Sequence, residues 1–324
     1  MNTCPKVGII TVNWKNSGDT IECVESLLRQ DYPAFQIFIV ENGSDDGSAE
    51  RLEAWGRKEH SACFISLFQD EVKKQHVGQK IVLLKSGENL GFARGNNLAC
   101  KIAGGSGAIF FWFINNDTVH DQKALSALVV AMQEAHMAGM TCSKVLYFDK
   151  NNIVESLGAT LIVPFGIFRH IGQGATDNKA DSAAIEVPYI YGCSFLVSSE
   201  LIREVGFMDE NFFILMEESD WSIRARRKGW KLYCSPASRV WHRVSGTIGK
   251  RSGIFFYYVT RNTLLFMKKH YHRFLPSAFL ASFVLIPGLI FFDSLFSKRK
   301  FFGRLEMVLL GYRHFLSGKF GKLG

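Results

Sequence analysis

The sequence predicts an α/β protein built on a parallel sheet, and two observations carry that prediction. Strand, polar loop and helix follow one another twice within the first fifty residues, the pattern of βαβ units. Further on, Ile109 to Thr118 reads Ile-Phe-Phe-Trp-Phe-Ile-Asn-Asn-Asp-Thr. Six apolar β-formers fit a strand buried on both faces, and the polar end is abrupt. With 324 residues, 47% of them hydrophobic, the chain can bury one large domain and still carry an appendage.

Taken in order, Val7 to Val12 is the first buried strand, followed by Asn13 and Trp14. Asn16 to Asp19 supplies cap residues for a helix over Thr20 to Arg29, where Ile21, Val24, Leu27 and Leu28 keep helical spacing. Tyr32-Pro33 ends it. Gln36 to Val40 is the second strand, and the polar loop Glu41 to Ser48 leads into a helix over Ala49 to Lys58. Glu59 to Gln79 fits no clear element and reads as a helical insertion, with Phe64, Ile65, Leu67 and Phe68 as an apolar patch. Ile81 to Leu84 is the third strand. Gly87 to Asn97 then opens a helix to about Ala103, and its glycines resemble a phosphate cradle without the G-x-G-x-x-G spacing. After the strand Ile109 to Ile114, Asp121 caps a helix to about Ala135. Thr141 to Pro188 is irregular and strand-like. A strand over Tyr189 to Val197 contains Gly192, and Ser199 starts a helix to about Val205. A helix carrying Ile223 and Arg224 ends at Gly229, Lys231 to Cys234 is a strand, and Ser238 to His242 closes the domain.

The polar end of the Ile109 strand sits at the carboxyl edge of the sheet, where open α/β sheets bind ligands. Asp117 offers a hard oxygen ligand for Mg²⁺ or Mn²⁺, and the amides of Asn115 and Asn116 can hold phosphate, ribose or base. The same four residues are good turn and helix-cap chemistry, which leaves both readings open. A second acidic group, Glu217, Glu218 and Asp220, falls at a helix start, where the macrodipole favours acids. Arg224, four residues on, accounts for Asp220. It leaves two carboxylates beside Phe212-Phe213, and a carboxylate in a partly apolar pocket with an acidic neighbour has its pKa raised, as a general base requires. His242 reads equally as an ordinary strand-end histidine.

Charge is unevenly distributed. From Ser222 onward there are 20 Lys and Arg against only Asp293 and Glu306, a net of +18, which leaves the rest at −10 within a total of +8. A basic, aromatic-rich back faces something anionic. Phe274 to Phe292 has no charge over 19 residues and is interrupted by Pro276, Pro287 and Gly288. Basic groups lie on both sides, Lys268, Lys269 and Arg273 before and Lys298, Arg299 and Lys300 after, which favours an interfacial hairpin over a crossing. A buried helix pair is the next reading and a true span the third. Seven scattered cysteines with no C-x-x-C pair read as reduced core thiols, and the N-terminus has no signal-peptide pattern. Nucleic-acid binding lacks any zinc, helix-turn-helix or RRM pattern, and the phenylalanines lie within apolar runs.

The ordered motifs resemble the family 2 inverting glycosyltransferases, in particular the rhamnosyltransferase-like branch. They are T-V-N at Thr11 to Asn13, E-N-G-S at Glu41 to Ser44, N-L-G-F-A-R-G-N-N at Asn89 to Asn97 and N-N-D-T at Asn115 to Thr118. G-F-M-D-E-N-F-F at Gly206 to Phe213, E-E-S-D-W at Glu217 to Trp221 and W-H at Trp241-His242 complete the set, across about three quarters of the chain. The resemblance implies a GT-A fold, a mixed sheet with helices on both faces, with a nucleotide-binding half (1–118), an acceptor half (119–245) and a basic, hydrophobic, membrane-associating helical appendage (246–324). It implies that Thr11, Asn13, Glu41, Asn42, Ser44, Asn89, Gly91, Arg94, Asn97, Asn115 and Asn116 bind the nucleotide sugar. Asp117 and His242 match the ligands of Mg²⁺ or Mn²⁺, and Glu218 matches the catalytic base. Gly192, Glu217, Asp220 and Trp221 support the acceptor side. The implied donor is a dTDP- or UDP-linked sugar, rhamnose or another hexose. The implied acceptor is a saccharide or lipid-linked saccharide, met on the cytoplasmic face of an anionic membrane in cell-surface polysaccharide synthesis. Two departures stand out: Asn115 replaces the first Asp of D-x-D, and Glu41 replaces the usual Asp. A catalytically inactive sugar-nucleotide-binding or scaffold protein of the same fold is the competing reading.

Overall fold

The computed structural model describes residues 4–72, 78–150, 152–178, 183–243, 252–296 and 301–324. Alternating strand and helix build its first half: β1 (Val7–Asn13), α1 (Ser17–Leu28), β2 (Phe35–Glu41), α2 (Ser48–Glu59), β3 (Phe64–Phe68), β4 (Ile81–Lys85), α3 (Gly91–Gly105) and β5 (Phe110–Asn115). These five strands are all parallel, in the order β3-β4-β2-β1-β5. Each helical crossover returns the chain to the same sheet direction, as βαβ units require. The expected insertion after α2 is instead the edge strand β3 followed by a single 3-10 turn, so the patch Phe64 to Phe68 pairs with β4.

The second half adds β6 (Thr118–His120), α4 (Ala124–Glu134), β7 (Ala138–Tyr147), β8 (Val154–Ser156), β9 (Ala159–Ile162), β10 (Ile167–His170), β11 (Ile185–Glu186) and β12 (Ser194–Ser198). After α5 (Ser199–Val205) and α6 (Glu217–Arg227), β13 (Lys231–His242) completes a mixed sheet ordered β11-β13-β7-β12-β5-β1-β2-β4-β3. β12 runs antiparallel to β5 and joins the two halves into one sheet, with β9 and β10 forming a separate hairpin. The last strand is longer than expected because it bulges between Ser235 and Arg239 and resumes its pairing up to His242. Only Ser194 onward of the expected Tyr189 strand is regular, and Asp121 caps the turn before α4 rather than the helix itself.

Period-two alternation along β1 sends Ile10 to one core with α3, α5 and α6 and Ile9 to the other with α1, α2 and α4. Helices therefore cover both faces, and the polar carboxyl edge is left between them. Five of the seven cysteines are buried within the fold, as expected of core thiols.

The C-terminal region is helical: α7 (Gly253–His270), α8 (Leu275–Phe296) and α9 (Phe301–Leu316). α7 packs onto the sheet domain, where Phe266 shares a core with Phe212, Ile223 and Tyr189. α7 and α9 cross closely at Gly311, where a Cβ would lie 2.9 Å from the Tyr257 carbonyl. The expected hairpin at Phe274 to Phe292 is instead one continuous helix that carries Pro287 inside it. Ala278, Ser282, Ile286 and Ile290 form its buried stripe at i, i+4 spacing, while Leu280, Phe283, Val284, Leu289, Phe292 and Leu295 are exposed. The boundary at 245–246 and the basic group Lys298 to Lys300 lie outside the described residues.

Candidate active site

At the ends of β5 and β13, Asp117 Oδ1 lies 3.3 Å from Nε2 of His242, and the ring's Nδ1 lies 2.8 Å from Glu155 Oε2. All three side chains are buried. Burial opposes a charge on His242, but the surrounding Cys193, Asp117 and Glu155 outweigh it and raise its pKa well above the usual imidazole value. Carboxylates that hold a proton this firmly attract a divalent cation by the same charges. A carboxylate on Nδ1 also orients Nε2 toward a metal. Among the described residues no group of three His, Cys, Asp or Glu side chains is gathered to hold an ion alone. Asp117 and His242 thus fit an ion completed by diphosphate oxygens and water. Glu155 was not visible in the sequence, since it lies in the irregular 141–188 stretch, far from any motif.

The other carboxylates lie at the start of α6. Glu218 is partly exposed and its carboxyl pKa is raised by burial, against a hydrogen bond from Ser219 at 3.3 Å. Glu217 is more deeply buried. Burial and the adjacent Glu218 charge raise its pKa well above the usual range, and Oε2 has no hydrogen-bond partner among the described residues. Gly192 makes room for Glu218, since a Cβ there would lie 3.1 Å from its Cγ. The same connection carries Tyr191, whose hydroxyl donates to Glu155 at 3.1 Å, and Cys193, which lies beside His242. One short segment thus touches both the Glu218 carboxylate and the Asp117–His242–Glu155 cluster.

The backbone leading to α6 is strained. Phe213, Leu215 and Met216 all have φ between +63° and +79°. Asn262 of α7 pins the strained segment: its Nδ2 donates to the carbonyls of Phe212 (2.8 Å), Ile214 (2.8 Å) and Leu215 (2.9 Å). Asn262→Ala orphans those carbonyls and is expected to cost about 2–3 kcal/mol of unfolding free energy, read by urea denaturation. Asp220, just beyond, accepts from Arg224 (2.7 Å), Lys269 (2.5 Å) and His270 (2.7 Å). Burial alone would raise its pKa, yet those donors hold it at about 2. Asp220 therefore ties α6 to α7. Trp221, expected beside the acceptor, is instead in the core, against Phe113 and with its indole N–H on the Gly206 carbonyl.

Several residues expected on the nucleotide are engaged within the fold. Asn97 clamps Met208 and Glu210. Asn42 bridges Leu90 N, Asn89 Oδ1 and the Gly91 carbonyl. Asn116 donates to Thr20, which donates to Asn13 at 2.6 Å. Glu41 folds back on its own turn, accepting from Ser44 N (2.9 Å) and Gly43 N (3.2 Å), and Ser44 Oγ accepts from Lys15 N. Thr118 donates to the Asn115 carbonyl, so the turn chemistry read in Asn-Asn-Asp-Thr is present alongside the Asp117 site. Arg94 is exposed near Glu88, and the buried Thr11 hydroxyl has no hydrogen-bond partner among the described residues. The expected phosphate cradle at α3 is corrected. Phe92 N (2.7 Å) and Ala93 N (3.3 Å) donate to the Phe213 carbonyl, and Gly91, at φ +78°, lies against the Phe213 ring. The start of α3 is therefore the seat of the 206–213 loop. A cavity of about 290 Å³ lies beside it, lined in part by Val12, Trp14, Asn42, Gly91 and Phe213, with neither Glu218 nor Asp117 in its lining.

Residues 7–206 match Glycosyl transferase family 2. The chain belongs to this family. A dTDP-rhamnosyl transferase, RfbF of Shigella flexneri, is 25% identical over 206 residues, which are 60% of this chain and 65% of that protein. The chain thus spans slightly under two thirds of that relative's length. Among solved structures, GalNAc-T7 with UDP, GalNAc and Mn²⁺ aligns with a TM-score of 0.61 at 12% identity, over 83% of this chain and 48% of that one. The mannosyltransferase PcManGT from Pyrobaculum calidifontis, with GDP-Man and Mn²⁺, gives 0.57 at 12% identity, over 98% of this chain and 89% of that one. These likenesses show the GT-A fold. As a family 2 glycosyltransferase, the chain carries its matched motifs in β1 to α5, while β13, α6 and the C-terminal helices lie beyond the matched segment.

Proposed function

We propose that the protein is an inverting glycosyltransferase that moves a sugar from a nucleoside diphosphate onto a saccharide or lipid-linked saccharide. The observation that carries this reading is the segment Tyr191–Cys193, which sets Glu218 on one side and the Asp117–His242–Glu155 cluster on the other. Glu218, with its raised pKa, accepts the proton of an acceptor hydroxyl. The oxygen so freed attacks the anomeric carbon from the face opposite the leaving group, and a single displacement inverts its configuration. Burial and the neighbouring Glu218 charge raise the Glu217 pKa, which favours its neutral form beside the base. Asp117 and His242 would hold a divalent cation, Mg²⁺ or Mn²⁺. When bound, it supplies positive charge for the departing diphosphate. The name of the Shigella relative makes dTDP-rhamnose the first donor to test, with UDP-sugars next. Incubating the protein with donor, Mn²⁺ and acceptor saccharides, and reading the product's anomeric configuration by NMR, tests the reading. A retained configuration, or no turnover with any donor, overturns it.

The reading extends to a membrane surface. The exposed face of α8 is apolar from Leu280 to Leu295, and Phe302, Leu309 and Leu316 of α9 are also exposed. Buried in an interface, each such side chain contributes up to about 1.5–3 kcal/mol, and each nearby basic group about 1 kcal/mol on an anionic leaflet. The protein is expected to float with anionic vesicles and to be only partly released by high salt. Phe283→Glu with Leu289→Glu should leave it at the bottom of the gradient. Failure of the wild type to float would refute membrane attachment.

A further inference from the structure

The cavity beside α3 has a floor at the carboxyl ends of β1 and β2, with Val12, Asn42 and Gly91, and an outer wall from far along the chain: Ile254 and Tyr258 of α7, and Lys322 and Leu323. Residues 321–323 are held in place there. Gly321 N donates to the Asn211 carbonyl at 2.8 Å, Arg261 Nη1 donates to the Gly321 carbonyl at 2.7 Å, and Leu323 N donates to the Tyr258 hydroxyl at 2.9 Å. Arg261, fully buried, also donates to the carbonyls of Asn211 and Phe212, which fastens this segment to the loop seated on α3. α3, the 206–214 loop, α7 and residues 321–323 therefore form one ring of contacts around the cavity.

The chemistry of the lining is selective. Phe213 and Tyr258 stack with ring centroids 5.4 Å apart and 14° between planes, and Trp14 and Phe92 add two further aromatic groups. The Asn42 amide is committed within the fold, as are Asn89 Oδ1 and the first amides of α3. The exposed Lys322 is the one charged residue in the lining, and it forms no ion pair among the described residues. A flat apolar group beside an anion matches this lining, and the position at the carboxyl ends of parallel strands matches a nucleotide.

Resting on the proposed activity, we infer that Lys322 and Leu323, with Tyr258, form the outer wall of the donor-nucleotide site. The aromatic faces take the base and Lys322 pairs with the diphosphate. Donor affinity then depends on residues beyond every matched family motif. The test is calorimetric titration of the full chain with dTDP and UDP in Mn²⁺, and with thymidine and uridine, for wild type, Lys322→Glu and Leu323→Ala. Lys322→Glu should weaken both diphosphates about tenfold or more and leave the nucleosides unchanged. Leu323→Ala should weaken diphosphate and nucleoside alike, roughly five-fold. Both substitutions fall on side chains that make no hydrogen bond of the ring, so thermal unfolding should stay at the wild-type temperature. If the wild type binds no nucleoside diphosphate, the activity falls and this inference with it. If the wild type binds and both variants bind equally well, only the inference fails. Loss of binding to vesicles containing a polyprenyl phosphate, with nucleotide binding intact, would overturn it in favour of an acceptor site.

Discussion

Glu218→Gln is expected to lower turnover by roughly 10²–10⁴ while nucleotide binding is retained, because the amide keeps the shape and cannot accept a proton. Its pH dependence should change in a definite direction. Burial raises the Glu218 pKa, so the wild-type rate climbs as pH rises through that raised value and the base becomes charged. The variant loses that limb of the profile. Glu217→Gln is the control that separates the two neighbours. Burial and the charge of Glu218 raise the Glu217 pKa well above the usual range, which favours its neutral form, and replacing a neutral acid by an amide removes little. Glu217→Gln should therefore retain most activity. The opposite result, Glu217→Gln crippled and Glu218→Gln active, would keep the loop and move the base by one residue.

The elements most legible in the sequence are those whose signal is local. β1, β2, β4 and β5 are continuous apolar runs, and their polar ends mark the sheet edge, so parallel topology and the place of Asp117 at that edge could both be read from pattern alone. Ser199 opens α5 as expected because its N-cap, Ser198, accepts from Leu201 N. β3 was missed because an edge strand buried on neither face loses the run of fully buried residues that identified the others. The roles of Asn97, Asn116 and Trp221 were hidden for another reason. Each sits in a motif, but its side chain is spent on contacts more than ninety residues away or in the core, and no spacing encodes that. Glu155 shows the converse. It reaches His242 from 87 residues earlier in the chain with no motif around it. The C-terminal region read from composition as an appendage. Composition does not encode how it is fastened: Asn262, Arg261 and the bonds from Lys269 and His270 to Asp220 tie α7 to the segment that carries Glu217 and Glu218.

Asp117→Ala should abolish the divalent-cation dependence of nucleotide binding while the fold persists. Asp117 is the carboxylate that faces Nε2 of His242, and Asn115, where the family's D-x-D has its first Asp, can offer only a neutral amide. Removing Asp117 leaves His242 as the sole side-chain donor of the proposed ion, too few to compete with water. The fold should survive, because the β6–β13 pairing next to Asp117 is made by backbone groups, and His242 keeps its bond to Glu155. Glu155→Gln provides a graded comparison: with Nδ1 no longer held by a carboxylate, Mn²⁺ affinity should fall by about 10–100-fold rather than vanish. Both effects are read without turnover, from the electron paramagnetic resonance signal of free Mn²⁺ and from dTDP titrations with and without the metal. Acid should weaken the wild-type ion in the same way. The carboxylates that favour a cation here also favour a proton on His242, and as pH falls the proton displaces the metal from Nε2. Undiminished Mn²⁺ binding by Asp117→Ala would place the ion elsewhere, and the Asp117–His242 pair would then be a structural contact at the end of β13.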